Sequence, residues 1–165
     1  MREEWKLLMR MPWKHRLVMI LLSIINIVMS LLAFDSIIIV IKSFLFSEIL
    51  LIASYYDIRT RIIPDWIHLL ILLVGLIEFD PVKSFVGLVV APLPFLIMAL
   101  AKEGSIGGGD VKLIGTMGFV FGLESCIIVA MFANVFAILF GLRYYLNIKK
   151  FYKKRIPFVP FLYAG

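Results

Sequence analysis

The sequence predicts an all-α, polytopic helical membrane protein with about six transmembrane helices. Three observations predict it. First, the chain of 165 residues is 62% hydrophobic, with a mean hydropathy of +1.03. A soluble domain is nearer half apolar, and at this length it has too little interior to hide the excess. Second, the apolar residues fall in runs about as long as a bilayer crossing requires. Third, the Lys and Arg residues behind the net charge of +6 gather in the short segments between alternate runs, as they do on the cytoplasmic side of membrane proteins.

The elements follow in order. Residues 1–16 carry Arg2, Lys6, Arg10, Lys14 and Arg16 among Trp5, Leu7, Leu8, Met9 and Trp13. This pattern suits an N-terminal interfacial segment; residues 17–165 form a single transmembrane domain. Residues 17–34 are the first span. The run is too long for the apolar part of a signal peptide and is read as retained. Asp35 and Ser36 make an outer turn. Residues 37–56 are the second span, interrupted by Lys42 and Glu48. Lys42 is near enough to the outer end to snorkel. Glu48 lies deeper, where it either pairs within the bundle or is protonated.

Residues 62–79 are the third span. Pro64 falls in its first turn, where a missing N–H costs nothing. Asp65 is then near a helix N-terminus, which favours a carboxylate. After an outer loop at Glu78-Phe79-Asp80-Pro81, residues 83–101 form the fourth span, kinked by Pro92 and Pro94. Residues 102–110 are a glycine-rich inner loop. The fifth segment, residues 111–123, is short for a full crossing, so part of that loop lies at membrane depth within protein. Residues 125–146 are the sixth span, followed by a basic tail from Lys149 to Arg155.

With both termini cytoplasmic in the cell membrane, this topology keeps every Lys and Arg inside except Lys42 and Lys83. It also puts Asp57 and Asp110 on one face. An ionisable residue at the edge of a membrane span is costly and points to function. Two carboxylates sharing one proton can hydrolyse an amide: the ionised one takes a proton from water, and the protonated one polarises the carbonyl. Gly107, Gly108 and Gly109 can adopt positive φ and let an extended substrate approach. Gly115, Gly118 and Gly122 share one helical face and allow close helix packing that can draw Asp110 towards Asp57. Lys112 either holds a substrate carboxylate or meets lipid headgroups.

Other chemistries lack support. Cys126 is the single cysteine, which rules out an internal disulfide and a multi-cysteine zinc site. His15 and His68 stand alone and read as structural. No metal or other cofactor is expected, because neither aspartate has His or Cys partners at ligand spacing. The glycine run lacks the Lys-Ser/Thr ending of a phosphate-binding loop. Ser23, Ser30 and Ser36 have no paired base. The charge reports membrane topology and lipid contact rather than a nucleic-acid partner.

Three segments carry a family resemblance. Tyr56-Asp57-Ile58-Arg59-Thr60-Arg61-Ile62-Ile63-Pro64-Asp65-Trp66 resembles the first aspartate motif of the type IV prepilin peptidases. Gly107-Gly108-Gly109-Asp110-Val111-Lys112-Leu113 resembles their GxGD motif, and Ile156-Pro157-Phe158-Val159-Pro160-Phe161 their Ile-Pro-Phe-x-Pro-Phe segment. The likeness covers roughly residues 37–165. It implies a membrane aspartic endopeptidase that removes the basic leader of a prepilin-like substrate at the cytoplasmic face. Asp57 and Asp110 would be catalytic, supported by Gly107, Gly108, Gly109, Lys112 and Arg61. The large bifunctional members also carry Cys-x-x-Cys pairs and N-methylate the new terminus. This sequence has no such pairs, so methyltransferase activity is not expected, and it looks like the short members serving tight-adherence pili or preflagellins. The resemblance also leads one to expect a further helix after the Ile-Pro-Phe segment. Two other readings compete: a transporter or channel component using the aspartates as an ion or proton site, and a non-catalytic assembly scaffold. The transporter reading does not explain the glycine loop or the placement of both aspartates at the cytoplasmic edge; cleavage of a prepilin by the purified protein separates all three.

Overall fold

The protein is described by a computed structural model covering residues 11–102, 106–147 and 157–164. Most of the predicted interfacial segment and the whole Lys149–Arg155 tail lie outside the described residues. Within them the regular structure is all helical: α1 (Trp13–Ala33), α2 (Ile37–Thr60), α3 (Asp65–Gly75), α4 (Pro81–Val90), α5 (Leu93–Ala101), α6 (Gly108–Asn147) and α7 (Val159–Ala164). Four stretches are long and apolar enough to cross a membrane, namely Trp13–Ala33, Ile37–Thr60, Pro81–Ala101 and Gly108–Arg143, while α3 is a shorter apolar helix. The chain is a multi-pass membrane protein.

Local chemistry sets the boundaries. Helix α2 stops because Arg61 enters the left-handed region at φ 57°, and Ile63 precedes Pro64, which disfavours helical backbone before it. The Thr60 hydroxyl donates to the Tyr56 carbonyl at 2.9 Å and accepts from the Ile62 N–H at 3.3 Å, closing the turn. Pro64 stands one residue before α3 rather than inside its first turn. Asp80 caps α4, accepting from the N–H groups of Val82 and Lys83 at 3.1 and 3.2 Å, with Pro81 opening the helix. The bend expected at Pro92 and Pro94 falls at Ala91-Pro92, where α4 passes into α5 with both residues still in the right-handed helical region.

Helix α6 is broken too. Gly122 has φ 79° and ψ 175°, which reverses the chain. The Cys126 thiol consequently lies 3.5 Å from the Ile114 carbonyl, although a straight helix would part residues twelve apart by about 18 Å. Residues 108–121 and 123–147 are therefore two legs of a hairpin, in line with the predicted fifth and sixth spans. Gly122 is the reversal point, which corrects its expected place on a packing face. A Cβ on Gly118 would collide with the Gly87 backbone, and the reverse holds. Gly115 packs beside the Leu88 carbonyl and Pro92. The small residues thus press α6 against α4, not against α2, the helix that carries Asp57.

The core gathers Tyr56, Ile67, Ile71, Leu113, Met117, Val159 and Leu162, all at most 2% exposed. The short α7 touches both α2 and α6 and so bridges the two helices that carry the aspartates. Much of α1 exposes large apolar side chains such as Leu17, Ile20 and Ile24, as a lipid-facing helix should.

Candidate active site

Asp57 occupies the last turn of α2 and is 6% exposed. Its backbone carbonyl accepts from the Arg61 N–H at 3.1 Å, so the turn that holds it is closed. Its carboxylate Oδ2 accepts from the Val159 backbone N–H at 3.0 Å. The Phe158 N–H adds a weaker bond, and the Arg61 guanidinium is near enough to interact electrostatically. The residue from the first motif is therefore held by backbone donors from the third.

Asp110 stands in the first turn of α6, where the helix dipole favours a carboxylate. Its own N–H donates to the Gly107 carbonyl at 3.0 Å, and the Gly107 N–H donates back to its carboxylate. A Cβ at position 107 would come within 3.1 Å of Oδ2. A larger side chain there would press on the Asp110 carboxylate. The expected positive φ is not seen at Gly107, Gly108 or Gly109; Gly108 and Gly109 are already helical. A Cβ on Gly108 would meet nothing within 4 Å, and one on Gly109 would make ordinary contact with Ile63. The other oxygen of Asp110, Oδ1, is buried without a hydrogen-bond partner among the described residues.

The structure brings Asp57 and Asp110 within electrostatic reach of each other. It does not bring Lys112 to the pair. The Lys112 ammonium binds Asp65 at 2.9 Å on an exposed edge. Asp65 makes this contact from the first turn of α3, where the helix dipole favours its charge. Next to it lies a cleft of about 490 Å³, lined by Asp65, His68, Leu88, Pro92, Val111 and Lys112 among others. Neither Asp57 nor Asp110 lines this cleft, although Val111 and Lys112 directly follow Asp110. His68 lies in its wall, 7% exposed, and His15 instead bonds Arg59 at 3.0 Å. Among the described residues no group of three or more His, Cys, Asp or Glu side chains converges.

The Asp65–Lys112 pair is solvent-exposed, and such pairs contribute little. Asp65→Asn is therefore expected to leave both folding and substrate cleavage within about twofold of the parent. Cleavage rates and thermal unfolding in detergent measure this. A large loss of cleavage would move Asp65 into the site.

Sequence reasoning missed the backbone donors to Asp57. The Ile-Pro-Phe segment was visible as a motif, but nothing in its composition says that its amides meet a carboxylate 102 positions earlier. A proline on each side of Phe158-Val159 was the available signal, since it fixes the backbone where the donors stand.

Comparisons with known proteins give the family. The chain is 30% identical over 126 residues to the prepilin leader peptidase/N-methyltransferase of Bacillus subtilis, covering 73% of this chain and 51% of that protein. It is 34% identical over 98 residues to the prepilin peptidase EppA of Methanococcus maripaludis, covering 56% of this chain and 26% of that protein. The chain thus spans about half the length of the first relative and about a quarter of the second. No solved structure matches it. The model of the type IV leader peptidase family matches residues 44–142, a stretch that contains both Asp57 and Asp110, and on that match the chain belongs to the type IV leader peptidase family.

Proposed function

We propose that this chain is a membrane aspartic endopeptidase that cleaves the leader peptide from prepilin-like proteins at the cytoplasmic face, with Asp57 and Asp110 as its catalytic pair. One observation carries the reading. Two carboxyl groups from separate helices lie within electrostatic reach inside an apolar bundle, and both fall within the family match. Burying two like-charged groups beside one another is costly, and ionisable residues held at such a cost point to function. The cytoplasmic placement rests on the distribution of Lys and Arg along the sequence.

The chemistry follows from one proton shared between two carboxyl groups. The ionised carboxyl takes a proton from water as the water oxygen bonds to the scissile carbonyl carbon. The protonated carboxyl gives its proton to the carbonyl oxygen, which makes a neutral tetrahedral intermediate. When the C–N bond breaks, the carboxyl that received the water proton returns it to the departing nitrogen. The other recovers its proton from the intermediate's hydroxyl, and the pair is restored. Either aspartate can begin in either state, because the proton belongs to the pair.

The test is cleavage of a prepilin by the purified chain in detergent, across pH and with or without a chelator. The expected result is leader release with a bell-shaped pH profile. At low pH both carboxyl groups are protonated and no base remains; at high pH both are ionised and no acid remains. Chelation should change the rate by less than about twofold, since acid–base catalysis by carboxyl groups requires no metal. Loss of activity on chelation, restored by Zn²⁺, would replace the dyad with a metal-dependent mechanism.

A further inference from the structure

A second polar cluster joins α1, α2 and α7, midway along the first two helices and away from the aspartates. The Ser23 hydroxyl donates to Glu48 Oε2 at 2.7 Å. The Asn26 amide nitrogen lies 3.4 Å from Glu48 Oε1 and donates to the Tyr163 hydroxyl at 2.8 Å. All four side chains are half-buried. Ser23 and Asn26 sit in the interior of α1, Glu48 in the interior of α2, and Tyr163 near the end of α7. Polar groups at this depth in a membrane protein cannot exchange their partners for water, so their geometry is tightly specified.

The cluster has a direct route to the candidate active site. Tyr163 is one helical turn beyond Val159 on the same short helix. At one end of α7 the Tyr163 hydroxyl is tied to Asn26, and through it to Glu48. At the other end the Val159 N–H sits on the Asp57 carboxylate at 3.0 Å. Glu48 and Asp57 both belong to α2, nine residues apart, or about 13 Å along the helix axis. Helix α7 therefore lies along α2 and is pinned near both ends.

We propose that Ser23, Glu48, Asn26 and Tyr163 form a positioning clasp: by anchoring the far end of α7 they hold the Val159 amide against Asp57 in its working orientation. These are positioning residues, since none of them bonds the aspartates. The proposal rests on the peptidase reading above and adds to it the residues that keep one member of the pair aligned. A polar bond between membrane helices adds only modestly to global stability. A small displacement of a catalytic group, in contrast, can lower a rate by about a hundredfold. The clasp therefore predicts a loss in rate that exceeds any loss of fold.

The test uses the full chain in detergent with a prepilin that carries its basic leader, and expresses rates per folded molecule. Tyr163→Phe removes one hydroxyl and keeps the ring. It should lower kcat by about tenfold or more while KM stays within about twofold. Glu48→Leu should do the same, and Glu48→Gln, which keeps an acceptor oxygen for Asn26, should recover most of that loss. Val159→Pro removes the amide donor itself. Combined with Tyr163→Phe, it should be no slower than Val159→Pro alone, because both act through one hydrogen bond. An unchanged kcat in Tyr163→Phe, or losses that multiply in the combined variant, would overturn the clasp. Should Tyr163→Phe fail to fold, Asn26→Ala reports on the same link; failure of both to fold would make the cluster purely structural and overturn the proposal. Asp57→Asn is the control that separates the two claims. If it is inactive while Tyr163→Phe is not slowed, the aspartic assignment stands and only the clasp falls. If it cleaves normally, the assignment itself falls.

Discussion

Asp57→Asn and Asp110→Asn are each expected to lower prepilin cleavage by roughly 10³-fold or more while leaving the protein folded and inserted. Asparagine has the size of aspartate but can neither accept the water proton nor supply one. Folding should survive for a geometric reason. The bonds that hold both carboxylates come from backbone N–H groups, of Val159 and Phe158 for Asp57 and of Gly107 for Asp110. An asparagine amide oxygen can still accept them. The two residues act on one proton, so the double variant should be about as inactive as either single one. Leader release by purified protein, measured by mass, checks all three. Normal cleavage by either single variant would remove that residue from the chemistry.

The largest expected effect on stability is at the contact between α4 and α6. Gly87 and Gly118 meet backbone to backbone, and a Cβ on either would collide with the other. Gly87→Leu or Gly118→Leu must push the helices apart. The cost should exceed ~3 kcal/mol, above the usual range for overpacking, because the obstacle is main chain and cannot rotate away. Thermal unfolding in detergent should show a clear drop in midpoint for both. Gly108→Ala is the matching control for stability, since its Cβ would meet nothing within 4 Å. Midpoints unchanged by the leucines would mean that α4 and α6 do not cross as described.

Much of this arrangement was legible in the sequence because membranes impose simple rules. Long apolar runs gave the helices; Pro64 marked a helix start, and Pro92 and Pro94 a kink, each within a residue or two of where the structure has it. Asp57 and Asp110 stood out as carboxylates in an apolar chain. What could not be read depends on partners distant in sequence. Ser23 has no base nearby in the chain, yet it bonds Glu48, and Asn26 bonds Tyr163 across 137 positions. Glu48 was correctly open to pairing, but its partners lie on other helices. Gly122 misled because its spacing from Gly118 fits a helical face equally well; only its φ of 79° makes it a reversal. Asp65 does stand in the first turn of its helix, as its position beside Pro64 suggests, but its ion pair with Lys112, 47 positions later, was not legible.

In the proposed mechanism Asp57 and Asp110 face each other across one site. Cross-linking in the membrane tests it most directly. Asp57→Cys and Asp110→Cys, introduced together on a Cys126→Ser background, are treated with a short bifunctional thiol reagent and digested for mass spectrometry. The expected result is an intramolecular link between peptides containing positions 57 and 110, and no such link when either cysteine is present alone. A pair that reacts singly with a monofunctional thiol reagent but never cross-links would contradict it.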